Sequence, residues 1–124
     1  MFFCVSSPSI RRNAVKLSEV IEKLSLDVKT VNVGLEQDVT GVYVSDLLSD
    51  VMANSKEGNI WITLQTHLNI VAVAGLKTMA GIIIVNNRQP EKEIIEKAES
   101  EKIAIMTTSL PAFEVAGKLY QMLS

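Results

Sequence analysis

The chain has 124 residues, 48% of them hydrophobic and 21% charged, with a formal net charge of −2 and a mean hydropathy of +0.25. That length builds one domain with a real core, and the lysines and arginines are scattered among acids, which excludes a phosphate-backbone surface and hence a nucleic-acid partner. A single cysteine excludes an internal disulfide, and Cys4 with His67 alone cannot make a zinc or iron–sulfur site, so the chain reads as cytoplasmic and free of metal or cofactor.

Residues 1–14 show no clear period, and Met1-Phe2-Phe3-Cys4-Val5 is too short for a signal segment and has no basic residue ahead of it. We expect an N-terminal extension, residues 1–15, ahead of a single domain, 16–124, with Cys4 a bystander in the extension. Helical spacing begins at Leu17 and runs through Val20, Ile21 and Leu24, with Glu19, Glu22 and Lys23 on the other side. Val28 to Val33 is β-branched enough for a strand. A loop at Gly34 and Glu36-Gln37-Asp38 follows, then a short strand, Val42-Tyr43-Val44. Ser45 or Asp46 is placed to cap a helix whose apolar stripe, Leu47, Leu48, Val51 and Met52, reads as core.

From residue 60 the chain repeats a unit. Strands are expected at 60–65, 82–85 and 103–107, with helices at about 67–78, 90–100 and 111–123. The three apolar runs are continuous rather than alternating, which is the pattern of strands buried on both faces of a parallel sheet joined by right-handed crossovers. Pro90 and Pro111 fit the first turns of the helices they precede. Asn69 to Val85 is apolar enough to suggest a membrane span, but Lys77 near its middle and the flanking Gly75 and Gly81 favour helix, turn and strand, so no membrane role is expected.

Ligands in open α/β sheets bind at the C-terminal ends of the parallel strands. Three polar clusters fall there. Gln65-Thr66-His67 offers a general base or a phosphate contact, against the plainer reading that Thr66 caps the next helix. Asn86-Asn87-Arg88-Gln89 puts a guanidinium beside a helix start, suited to a carboxylate or phosphate, against the reading of a turn whose asparagines take left-handed angles. Thr107-Thr108-Ser109 offers hydroxyls to an anion or, equally, an N-cap ahead of Pro111. Gly75-Leu76-Lys77-Thr78 lacks the first glycine and the preceding strand of a phosphate-binding loop, so Lys77 reads as a helix end. No catalytic motif is present, and no second acid or nucleophile is spaced to partner His67. Tyr43, Met79, Phe113, Tyr120 and Met122 supply contact surface for a homodimer.

Asp38-Val39-Thr40-Gly41 with Tyr43 to Ala53, Gly58 to His67, Ala80 to Asn86 and Leu110 to Gly117 resembles the DRTGG domain family, in particular its small stand-alone members, over about residues 16 to 122. Val39 stands where the family name has arginine, and Val42 where it has the second glycine. The resemblance implies a three-layer α/β/α domain with a mostly parallel sheet, related to the non-catalytic N-terminal domain of HPr kinase. Similar domains accompany CBS pairs in some pyrophosphatases, occur in phosphotransacetylases and stand beside iron-only hydrogenase systems. Because the resemblance starts near Lys16, it also implies that translation begins at Val15 and that the preceding residues are upstream sequence.

The expected function is therefore a non-enzymatic regulatory or ligand-sensing domain that binds a small anionic metabolite, by family company an adenine nucleotide. The candidate ligand residues are Thr66, His67, Asn86, Asn87, Arg88, Thr107, Thr108 and Ser109, with Asp38, Thr40 and Gly41 as an edge. The alternatives are a protein interaction module of a hydrogenase or acetate-metabolism system and, third, a small transferase or hydrolase using His67.

Overall fold

The computed structural model describes residues 14–124; the expectations for Cys4 and for most of the extension lie outside these residues. The chain forms α1 (Leu17–Leu24), β1 (Asp27–Val28), β2 (Gly41–Val44), α2 (Leu48–Asn54), β3 (Asn59–Thr63), α3 (Asn69–Leu76), β4 (Gly81–Ile84), α4 (Lys92–Ser100), β5 (Ile105–Thr107) and α5 (Ala112–Leu123). The strands make one five-stranded sheet in the order β1-β5-β4-β3-β2, parallel except for β1, which runs antiparallel to β5.

Every residue of β3, β4 and β5 is buried, as their unbroken apolar runs require. Successive side chains point to opposite faces and feed two cores. Ile60, Ile62, Ile83 and Met106 pack with Leu17, Val20 and Leu24 of α1 and Val115 and Leu119 of α5. Trp61, Ile82, Ile84 and Ile105 pack with Val51 of α2, Ile70, Val71 and Ala74 of α3, and Ile94 and Ala98 of α4. The result is the three-layer α/β/α architecture expected from the sequence.

Several local expectations are corrected. Only Asp27–Val28 pairs as a strand where Val28 to Val33 was expected, because Thr30 turns its hydroxyl to accept the Ile105 N–H at 3.3 Å and Val31 swings out to solvent. α2 starts after Leu47, which has no side-chain cap, and Leu47 and Met52 are exposed rather than core; Val51 is the buried residue of that helix. α3 is an eight-residue helix that ends at Leu76, with Lys77 as its C-cap, and is followed by β4, and no helix among the described residues is long and apolar enough to cross a membrane. Pro111 is the N-cap of α5 itself, and Pro90 lies one residue ahead of the N-cap Glu91 of α4.

Candidate functional site

At the C-terminal edge, β3 ends in a turn fixed by one carboxylate. Asp46 Oδ1 accepts the Thr63 hydroxyl at 2.8 Å and the Leu64 N–H at 2.7 Å, while Gln65 Nε2 donates to the Asp46 carbonyl at 2.9 Å. Asp46 thus holds the β3–α3 turn rather than capping α2. The turn delivers Thr66 and His67 to the start of α3. His67 Nδ1 accepts the Asn69 N–H at 3.2 Å, so His67, not Thr66, serves the helix start, and in the neutral ring the proton sits on Nε2.

β4 ends in Asn86 and Asn87, both left-handed at φ 59. β4 leads to α4 on one face of the sheet and β5 leads to α5 on the other, so the crevice at a topological switch point should open between these two strand ends. Here it is closed by the chain itself. Asn86 N–H donates to the Leu110 carbonyl at 3.0 Å, Asn87 N–H to the Thr108 carbonyl at 2.8 Å, and Thr108 N–H to the Ile84 carbonyl at 3.1 Å. The Thr108 hydroxyl accepts the Leu110 N–H at 3.2 Å, and Thr107 is buried in the sheet. Asn86, Asn87, Thr107, Thr108 and Ser109 therefore form a stitched double turn whose main-chain donors are largely spent on the protein, not a row of free amides facing an anion.

The open space lies one strand over. A cavity of about 390 Å³ is lined by Gln65, Thr66, His67, Leu68, Arg88, Glu91, Glu93 and Ile94. Three of the expected residues, Thr66, His67 and Arg88, meet here; Arg88 makes no ion pair among the described residues. Gln65, named in the first polar cluster but left out of the candidate ligand residues, joins them here, and sequence reading missed Glu91 and Glu93. The signal was available, because the first turn of a crossover helix lies at the same sheet edge as the neighbouring strand's loop. The missed carboxylates change the chemistry: a guanidinium, an imidazole and two acids now line one cavity, a set that suits a ligand carrying both an anionic group and hydrogen-bond donors.

Asp38, Thr40 and Gly41 cannot edge this cavity. Gly41 pairs with Asn59, the first residue of β3, so the motif sits at the N-terminal end of the parallel strands, the opposite edge of the sheet. There it is structural. Asp38 pairs with Lys16 at 2.6 Å, Val39 is buried, and the Thr40 hydroxyl donates to the Glu57 carbonyl at 2.7 Å while Thr40 N–H donates to the Gly58 carbonyl at 3.0 Å. A separate opening of about 530 Å³ lies beside them. Among the described residues no group of three or more His, Cys, Asp or Glu side chains is arranged to hold a metal ion.

No protein-family model matches this sequence, and no curated protein does. Among solved structures, the chain is similar to the CBS and DRTGG domains of the regulatory region of Clostridium perfringens pyrophosphatase, complexed with the activator diadenosine tetraphosphate. The TM-score is 0.66 at 22% identity, over 92% of this chain and 50% of that one. The chain spans half the length of the structure it matches, and what the two share is the fold.

Proposed function

We propose that this chain is a DRTGG-type regulatory domain, non-catalytic and cytoplasmic, that binds an adenine nucleotide in the cavity between the β3 and β4 strand ends. The observation that carries the reading is the cavity's composition: Arg88, free of any ion pair among the described residues, lines it together with Thr66, His67, Glu91 and Glu93. Arg88 and the Thr66 hydroxyl suit a phosphate, and the two carboxylates suit ribose hydroxyls or an exocyclic amine. A volume of about 390 Å³ is enough for a mononucleotide or one half of a dinucleotide. The fold's similarity to a regulatory region bound to diadenosine tetraphosphate supports the same class of ligand.

Thermal unfolding of the dialysed chain against mono-, di- and dinucleoside phosphates tests this. A ligand at a hundred times its dissociation constant adds about 2.7 kcal/mol and moves the midpoint by roughly 10 °C. A selective shift with an adenine nucleotide, absent with inorganic pyrophosphate, is expected. A flat panel removes the nucleotide reading and favours the interaction module, for which the exposed Phe113 and Tyr120 speak.

A further inference from the structure

The sheet has two edges, and they are built differently. β1 is two residues long, and its Asp27 is paired with Lys29 at 2.9 Å, so charge and shortness blunt that edge. β2, at the other end of the sheet, is Gly-Val-Tyr-Val, with no charge and no proline, and among the described residues it pairs only with β3. Its main-chain groups alternate: β3 turns the Asn59 and Thr63 carbonyls away from it, to Ala80 N–H and Val85 N–H, and the Ile62 carbonyl toward it, to Ser45 N–H. By that alternation Gly41 and Tyr43 spend N–H and C=O on β3, and Val42 and Val44 present theirs outward along an edge that is open among the described residues.

Beside that edge lies an apolar face of α5. Phe113 is 87% exposed and Tyr120, two turns on, 77% exposed; Gly117 between them faces open space. An apolar opening of about 340 Å³ runs between Val42 and Val44 of the strand and Ala116, Tyr120 and Leu123 of the helix. The charges of α5 lie away from it, with Lys118 turned toward Lys23 of α1 and Glu114 one turn before it.

We propose that this surface is the interface of a two-fold symmetric homodimer, in which β2 pairs antiparallel with β2 of a second copy and the two α5 faces pack above it. Like meets like across a two-fold axis, so a charge-free strand flanked by a charge-free helix face is self-complementary where a charged one repels itself. An axis at Tyr43 sets Val42 opposite the partner's Val44, each such pair exchanging both N–H···O=C bonds. The Phe113 and Tyr120 rings alone offer roughly 300 Å², over a third of the approximately 800 Å² per partner that a standard interface buries.

The test is sedimentation of the full chain over a wide concentration range, with Phe113→Glu and Tyr120→Glu as disrupting variants and Lys118→Glu as a charge change on the far side of the same helix. The wild type and Lys118→Glu should sediment as dimers, while both glutamate variants at the interface halve the solution mass with unchanged circular dichroism. Amide exchange at Val42 and Val44 should be slow in the dimer and fast in the Phe113→Glu monomer. A monomeric wild type, a dimer that survives both variants, or a dimer whose Val42 and Val44 amides exchange like an open edge overturns the proposal. Protected amides in a monomer also overturn it, and assign the edge to the chain's own N-terminal segment.

Discussion

Arg88 is the one formal cation lining the candidate cavity, which Glu91 and Glu93 also line, so under the proposed function a phosphate contact rests on that single guanidinium. Arg88→Ala should therefore weaken adenine nucleotide binding by about 1 to 3 kcal/mol, measured by calorimetry at fixed salt. Unchanged affinity would take Arg88 out of the site. A second residue-scale device lies away from the cavity, where the Tyr43 hydroxyl donates to Asp50 Oδ1 at 2.7 Å and Asn54 Nδ2 to the same oxygen at 2.9 Å, tying α2 to β2. The hydrogen bonds from Tyr43, Asn54 and Ser45 hold the Asp50 carboxyl below its ordinary value of 3.8. The bond to Asp50, then burial, then the Asp50 charge push the Tyr43 phenol above 10.0. A lowered carboxyl adds stability above its unfolded value that is lost as pH falls through the folded one. A raised phenol adds stability below its unfolded value that is lost as pH rises through the folded one. The tie is thus strongest between about pH 4 and 10. Tyr43→Phe should lower the unfolding midpoint at pH 7 and flatten its fall at both extremes; a variant whose pH profile parallels the wild type would show that the tie contributes nothing.

At the scale of elements, what was legible was what periodicity encodes. The unbroken runs around Trp61, Ile83 and Ile105 fixed three buried parallel strands, and the spacing of Leu17, Val20 and Leu24 fixed α1. What was not legible depended on contacts between distant segments. Asp46 reads locally as a helix cap, but the nearby end of β3 offers it Thr63 and Leu64, and two strong bonds there outweigh one cap. Val28 to Val33 has strand composition, yet Val31 N–H is taken by the Glu99 carboxylate at 2.9 Å, a partner 68 residues away. The polar clusters after β4 and β5 look like ligand loops one at a time and become a stitched double turn only when the sheet sets them side by side. The Asp38-Val39-Thr40-Gly41 motif shows the same dependence, because its bonds seat β2 against the β3 entry. Gly58 there has φ +82, and a Cβ on it would stand 2.7 Å from Thr40 Cγ2. Gly58→Ala should cost roughly 1 to 2 kcal/mol for the left-handed angle, plus the displacement of Thr40. Denaturant unfolding checks this, and a change under about 0.5 kcal/mol would mean that the turn relaxes freely.

For the whole molecule, the sheet is a wall common to two cores, and that arrangement predicts how the protein comes apart. Ile83 belongs to the layer of α1 and α5, while its neighbour Ile84 belongs to the layer of α2, α3 and α4. Trp61, the only tryptophan, is fully buried in the second layer with its Nε1–H donated to the Ser45 carbonyl at 2.8 Å, so its fluorescence reports that layer alone. If the layers melted separately, shaving a methyl from Ile83 would leave the Trp61 transition in place. Neither layer can lose its packing without exposing the apolar face of strands whose other face holds the second layer, so both should go together, as single domains of this size generally do. Ile83→Val and Ile84→Val, each costing about 1 kcal/mol, should therefore lower the Trp61 midpoint by similar amounts, roughly 3 to 5 °C at one fixed protein concentration. Far-ultraviolet circular dichroism should trace the same curve. A Trp61 midpoint that follows Ile84→Val but ignores Ile83→Val would show two units folding on one sheet. Ligand binding at the edge of β3 and β4 would then stabilise one layer only, whereas in a single cooperative unit a nucleotide held by Arg88 stabilises α5 and the β2 edge as well.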